Sequence, residues 1–183
     1  KTTFDIHASG EDFNPAVFAP DVTGNLSFNA QCKGQLADKL ELTAAIDKLT
    51  GQLRGYPVSL DGNFALSGED LTVNALNLDS GRNHIDINGS LGSEQAVLDI
   101  AINTPELNTL WQGLAGKLNA KAHLQGALKN PNATVELAGQ GIHYQQHGVE
   151  SLKLNVNYDA TGKQQSDLQL SVANIKTGDT KIQ

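Results

Sequence analysis

Methionine is absent from this chain, and cysteine occurs once. A lone cysteine cannot close an internal disulfide, so no disulfide framework holds the fold. Aromatic residues make up only 5% of the 183 residues, which leaves few large anchors for a wide core. Basic residues are also scarce. Lys and Arg number 13 against 20 Asp and Glu, for a net charge of −7. That excludes the basic stripe that displaces counterions from nucleic acid. It also excludes simple attraction to anionic headgroups. No run approaches the ~18 apolar residues of a membrane helix, and no charged-then-apolar leader is visible. The missing methionine and the start at Lys1 read as a single segment, residues 1–183, of a longer protein.

Aliphatic and amide side chains are what the chain does have. Leu occurs 24 times, and Asn and Gln together 29 times, while charged residues stand at 18%. The globular norm for charged residues is about 25%. The dry surface is therefore aliphatic, and the wet surface polar but weakly charged.

An eleven-residue pattern occurs twice, at 24–34 and 116–126. Gly24, Leu26, Phe28, Ala30, Cys32 and Gly34 alternate with polar residues, as do Gly116, Leu118, Ala120, Ala122, Leu124 and Gly126. A period of two marks a strand with one dry and one wet face. Similar alternation runs through Phe4–Ala8, Leu40–Ile46, Tyr56–Leu66, Ile85–Leu91, Ala96–Ile102, Ala133–Leu137, Leu152–Tyr158 and Leu168–Val172. About twelve strands are expected. The phase slips at Ala75–Leu76, where a bulge would restore the face. Gly62, Gly89 and Gly139 fall in the apolar phase, which points to bends or close backbone approach.

Turn signals lie at Ser80-Gly81, Lys129-Asn130-Pro131-Asn132 and Thr161-Gly162-Lys163, whereas Asp61-Gly62 also fits inside a strand. Thr104-Pro105-Glu106 reads as a helix start, and Leu107, Leu110, Trp111 and Leu114 then form one apolar stripe. This places one short helix near 104–115 with Trp111 as a core anchor. Asn14-Pro15-Ala16-Val17-Phe18 is a weaker echo. Two related repeat units, roughly 14–102 and 103–183, follow from this recurrence.

The expected fold is all-β: a long, strongly curved antiparallel sheet forming a trough with an apolar interior, or alternatively a β-sandwich. Periodicity alone does not separate the two.

Catalytic signals are missing. There is no nucleophile elbow, phosphate loop or dinucleotide fingerprint. His143 and His147 look like strand residues with no companion ligands, so no metal and no cofactor are expected. Cys32 reads as a small buried hydrophobe. Glu69, Asp70 and Asp79 flank turns, where solvation explains them.

Several segments in order carry a family resemblance. They are the Gly24-x-Leu26-x-Phe28-x-Ala30 run, Leu53-Arg54-Gly55-Tyr56-Pro57-Val58, the stretch from Ser80 to Gly92, and Gly126-Ala127-Leu128-Lys129-Asn130-Pro131. In order and spacing they resemble the TamB family, related to AsmA-like proteins, over nearly the whole chain. The likeness is to enterobacterial members, toward their C-terminal part. It implies a β-taco trough in a protein that spans the periplasm from an inner-membrane helix. It also implies a partner, TamA, an outer-membrane barrel of the Omp85 type. The implied roles are outer-membrane protein assembly, autotransporters included, and phospholipid movement between membranes, without catalysis. Lipid acyl chains or amphipathic β segments of client proteins would lie in the groove. The lining candidates are Leu26, Phe28, Ala30, Leu98, Ile100, Leu118, Ala122, Leu154 and Val156. A strand-pairing interaction module is the alternative.

Overall fold

The computed structural model describes residues 2–92 and 94–178. Its strands run in chain order as β1 (Thr2–Phe13), β2 (Gly24–Leu36), β3 (Leu40–Leu53), β4 (Tyr56–Ser67), β5 (Asp70–Ser80) and β6 (Asn83–Leu91). They continue as β7 (Ala96–Thr104), β8 (Leu114–Gly126), β9 (Asn132–Tyr144), β10 (His147–Asp159) and β11 (Asp167–Lys176). All eleven form one antiparallel sheet in the order of the sequence. The count is eleven rather than twelve, and every alternating run is one of these strands.

A single open sheet overturns the sandwich alternative, because among the described residues no second sheet covers the apolar face. Surface area makes the same point. The chain exposes 12197 Å², whereas a compact monomer of its 19.4 kDa mass would expose about 8,500 Å². Only Leu26, Val58, Val73, Ala96 and Leu107 count as buried apolar side chains among the described residues. The molecule is a bent meander, the trough of the sequence reading.

Bulges bend it. In β5 the register shifts between Val73 and Leu76, where the phase slip lies. Ala75 takes a left-handed φ of 50°, and its N–H donates to Asn88 Oδ1 at 3.2 Å. The extra residue returns Leu76 to the face that Val73 occupies. In β6, Gly89 sits beside this bulge with φ 140°. A Cβ there would lie 2.0 Å from the Val97 carbonyl oxygen, so the neighbouring strand passes where any side chain would stand.

The hairpins use tight turns. Arg54 and Gly55 join β3 to β4 with φ of 52° and 82°. Two left-handed central residues give the primed turn whose twist matches the flanking strands. Asn14 caps a 3₁₀ turn at Pro15–Val17, its Oδ1 accepting from the Ala16 N–H at 3.0 Å.

The expected helix is one turn long. α1 covers Leu107–Leu110, starts after Glu106, and has no side-chain cap. Thr104 is not its cap. It ends β7, and its hydroxyl donates to the Leu118 carbonyl at 2.7 Å. Trp111 is extended (φ −145°, ψ 131°) and 61% exposed, so it is not a core anchor. Gly113 then turns left-handed at φ 81°, and Leu114 opens β8. Cys32 is half-buried rather than enclosed.

Candidate functional site: one apolar face in register

Directly opposed residues in an antiparallel sheet share a face. One row of such partners crosses every strand. It runs from Gly10 to Phe28, Leu49, Leu60 and Leu78. It continues through Ile85, Ile102, Ala120, Leu137, Leu154 and Leu170. A second row joins Leu76, Ile87, Ile100, Ala122, Val135, Val156 and Leu168. No charged or amide side chain interrupts either row.

The lining candidates fall on this face. Phe28 and Leu154 lie in the first row. Ile100, Ala122 and Val156 lie in the second. Leu98 stands between Gly89 and Leu124. Ala30 stands between Ala8 and Ile46, and Leu118 between Thr104 and Gly139. Leu26 opposes Phe13 and Gly51 and is 8% exposed. The other candidates are half-buried. Neighbouring side chains shade them, and nothing seals them.

The opposite face carries ionic pairs. Lys33 Nζ lies 3.3 Å from Asp5 Oδ2. The His84 ring bridges two carboxylates, with Nδ1 2.6 Å from Asp79 and Nε2 2.9 Å from Asp86. The hydrogen bond to Asp79 raises the His84 pKa, and the Asp86 charge adds to this. His123 is raised likewise by its hydrogen bond to Asp99. A recess of about 520 Å³ opens on this side, with walls including Lys121, Glu136 and Lys153 and small Ala101 and Ala138 between them. It is an open gap between long solvated side chains, and Ile102, Ala120 and Leu137 of the first row also border it.

A raised histidine pKa stabilises the fold fully below the unfolded value of about 6.5, and the gain fades as pH rises through the folded value. Wild type should therefore melt above His84→Gln at about pH 6, with the gap closing by about pH 9. A gap that widens with pH would contradict the assignment.

One end of the apolar face is covered by the chain itself. The segment 105–113, which contains α1, packs beside β8 and reaches the end of β5 at Ser80, the start of β6 at Asn83 and the Arg54 turn. The fully buried Asn83 clasps it. Its Oδ1 accepts from the Glu106 N–H at 3.0 Å, and its Nδ2 donates to the Glu106 carbonyl at 2.9 Å and meets the Thr109 hydroxyl. Thr109 donates to the Glu106 carbonyl at 3.0 Å and approaches the Ser80 carbonyl at 3.4 Å. Arg54 donates from its turn to the Thr109 carbonyl at 3.0 Å and to that of Leu110. Sequence reasoning missed Arg54, Asn83 and Thr109. Asn83 lies between the Ser80-Gly81 turn signal and the alternating run from Ile85, and its partner Thr109 is 26 positions away.

His143 and His147 flank the turn between β9 and β10. No group of three or more His, Cys, Asp or Glu side chains could hold a metal among the described residues. Nor is any helix there long and apolar enough to cross a membrane.

An open β meander with one apolar face in register, and no metal-ligating cluster among its described residues, defines a module that presents apolar surface. A family model described as the N-terminal domain of TamB matches residues 2–183. The chain belongs to the TamB family. It is 28% identical over 158 residues to the translocation and assembly module subunit TamB of Haemophilus influenzae. That alignment covers 84% of this chain and 12% of the relative, so the chain spans a small part of that protein's length. The matched domain is described as N-terminal, which does not agree with the C-terminal placement drawn from the resemblance. No solved structure matches the chain.

Proposed function

We propose that this chain is a non-enzymatic, periplasmic part of an inner-membrane-anchored envelope protein whose apolar face carries hydrocarbon. The observation behind this is the aliphatic row that crosses all eleven strands and lacks a covering sheet. Each methylene taken from water contributes roughly 0.8 kcal/mol. A row of Leu, Ile and Ala can therefore hold an acyl chain without specific polar contacts. Phospholipid movement between membranes uses this surface directly. Amphipathic β segments of outer-membrane proteins, autotransporters among them, are the other cargo it fits. In this reading the full-length protein works with TamA at the outer membrane, as a translocation and assembly module. The relative's name supports that partnership.

Neighbouring residues on opposite faces supply the test. A photoreactive benzophenone residue at Ala122 of the full-length protein in cells should capture phospholipid, and the same residue at Lys121 should not. Equal labelling at both positions would remove the apolar face from the function.

A second reading is strand pairing. Among the described residues β11 pairs with β10 alone, and it carries Leu168, Leu170 and Ile175 at 67%, 61% and 67% exposure. An unpaired edge is a template for another strand. Leu170→Pro should abolish capture of a client β segment while leaving lipid labelling at Ala122 intact. Client capture that survives the proline would end this reading.

A further inference from the structure

We propose that residues 105–113 form a displaceable plug on the apolar face. The segment covers the end of the face at Ser80 and Asn83, a stretch that an acyl chain would otherwise take, and it must lift before that stretch can load. The inference rests on the reading of the face as an acyl-chain surface, and it adds an internal competitor for it.

Burial marks the place. In a sheet whose apolar face is mostly half-open, Leu107 is buried here together with the polar Ser80, Asn83, Thr104 and Thr109, and Val58 is buried opposite Ser80. The cover comes from the connection between β7 and β8. Both of its ends are tethered, because Thr104 stands opposite Leu118 in the sheet. Displacement is therefore a local swing and does not unfold either strand.

The hold is mainly polar. Asn83 and Arg54 clasp backbone groups of the segment, Thr109 reaches from it to the Ser80 carbonyl, and Leu107 is its one buried apolar side chain. Hydrogen bonds to a short linker can be exchanged for water when the linker lifts. Four helical residues are too few to hold themselves together off the sheet. Trp111, the chain's single tryptophan, rides exposed on the segment as a built-in reporter.

The geometry offers a lock. A Cβ built on Gly81 lies 3.9 Å from the Thr109 Cβ, within the range a disulfide spans. The variant Gly81→Cys with Thr109→Cys, in a Cys32→Ala background, is tested for binding of dioctanoyl phosphatidylglycerol by native mass spectrometry. The oxidised form should bind at least about fivefold more weakly than the reduced form, with reductant raising affinity to at least the wild-type value. Equal binding in both forms would overturn the plug and leave the acyl-chain reading standing. No binding by either form or by wild type would overturn the acyl-chain reading itself, and the plug with it. Should the cysteine pair fail to fold or oxidise, Arg54→Gln provides the converse test. Loss of its donors to the Thr109 and Leu110 carbonyls should raise affinity about threefold and lower the Trp111 fluorescence anisotropy. No change in either would overturn the plug.

Discussion

Gly89→Val is expected to cost at least about 3 kcal/mol of stability. Two independent faults combine. The residue holds φ at 140°, where a branched side chain is strained. Its Cβ would also stand 2.0 Å from the Val97 carbonyl oxygen and 2.8 Å from the Leu98 Cα. Neither contact is with a flexible side chain, so relief requires β6 and β7 to part. Their separation would break the rows at Ile85–Ile102 and Ile87–Ile100. Gly141→Ala is the control. It too is left-handed, with φ 57°, but nothing lies within 4 Å of its Cβ. It should cost only about 1–2 kcal/mol, the conformational part alone. Urea denaturation of the two variants separates the effects. A Gly89→Val loss no larger than that of Gly141→Ala would show that the close approach is not a constraint on the fold.

Leu154→Arg is expected to lower phospholipid binding tenfold or more, with the fold retained. Leu154 lies in the row that crosses every strand, between Leu137 and Leu170, and it is half-buried. An arginine there can turn its guanidinium toward solvent along its own aliphatic stem, so the sheet survives. An acyl chain lying along the row meets a charge instead. Displacing even a few methylenes at roughly 0.8 kcal/mol each is enough for the expected loss. In the full-length protein the same change should impair envelope function. Wild-type lipid binding by a folded Leu154→Arg variant would mean that this row is not the binding surface.

The strands were legible because every one of them carries its apolar residues at period two, and because one face alone has to avoid water. Even the bulge at Ala75 was visible, since skipping it would have thrown Leu76 and Leu78 onto the wet side. The choice between trough and sandwich was not legible. Both bury one face of each strand, and only the strand order of a single sheet decides between them. The helix was over-read. Thr104 and Pro105 imitate a helix start, and Leu107, Leu110, Trp111 and Leu114 imitate a stripe. Yet Thr104 is held by the Leu118 carbonyl, and Gly113 turns the chain into β8. Helical propensity over so short a stretch yields to the strands on either side. The clasp on residues 105–113 was hidden for another reason. Arg54 and Thr109 are 55 positions apart and meet only because intervening strands stack between them. No local pattern records that meeting.

The central claim is that the apolar face is open to hydrocarbon. Native mass spectrometry of the purified chain after exposure to phosphatidylglycerol vesicles tests it most directly. The account predicts retained phospholipid on the folded wild-type chain, and its loss in Leu154→Arg. A folded chain that shows only its bare mass, with neither lipid nor detergent retained, would contradict it.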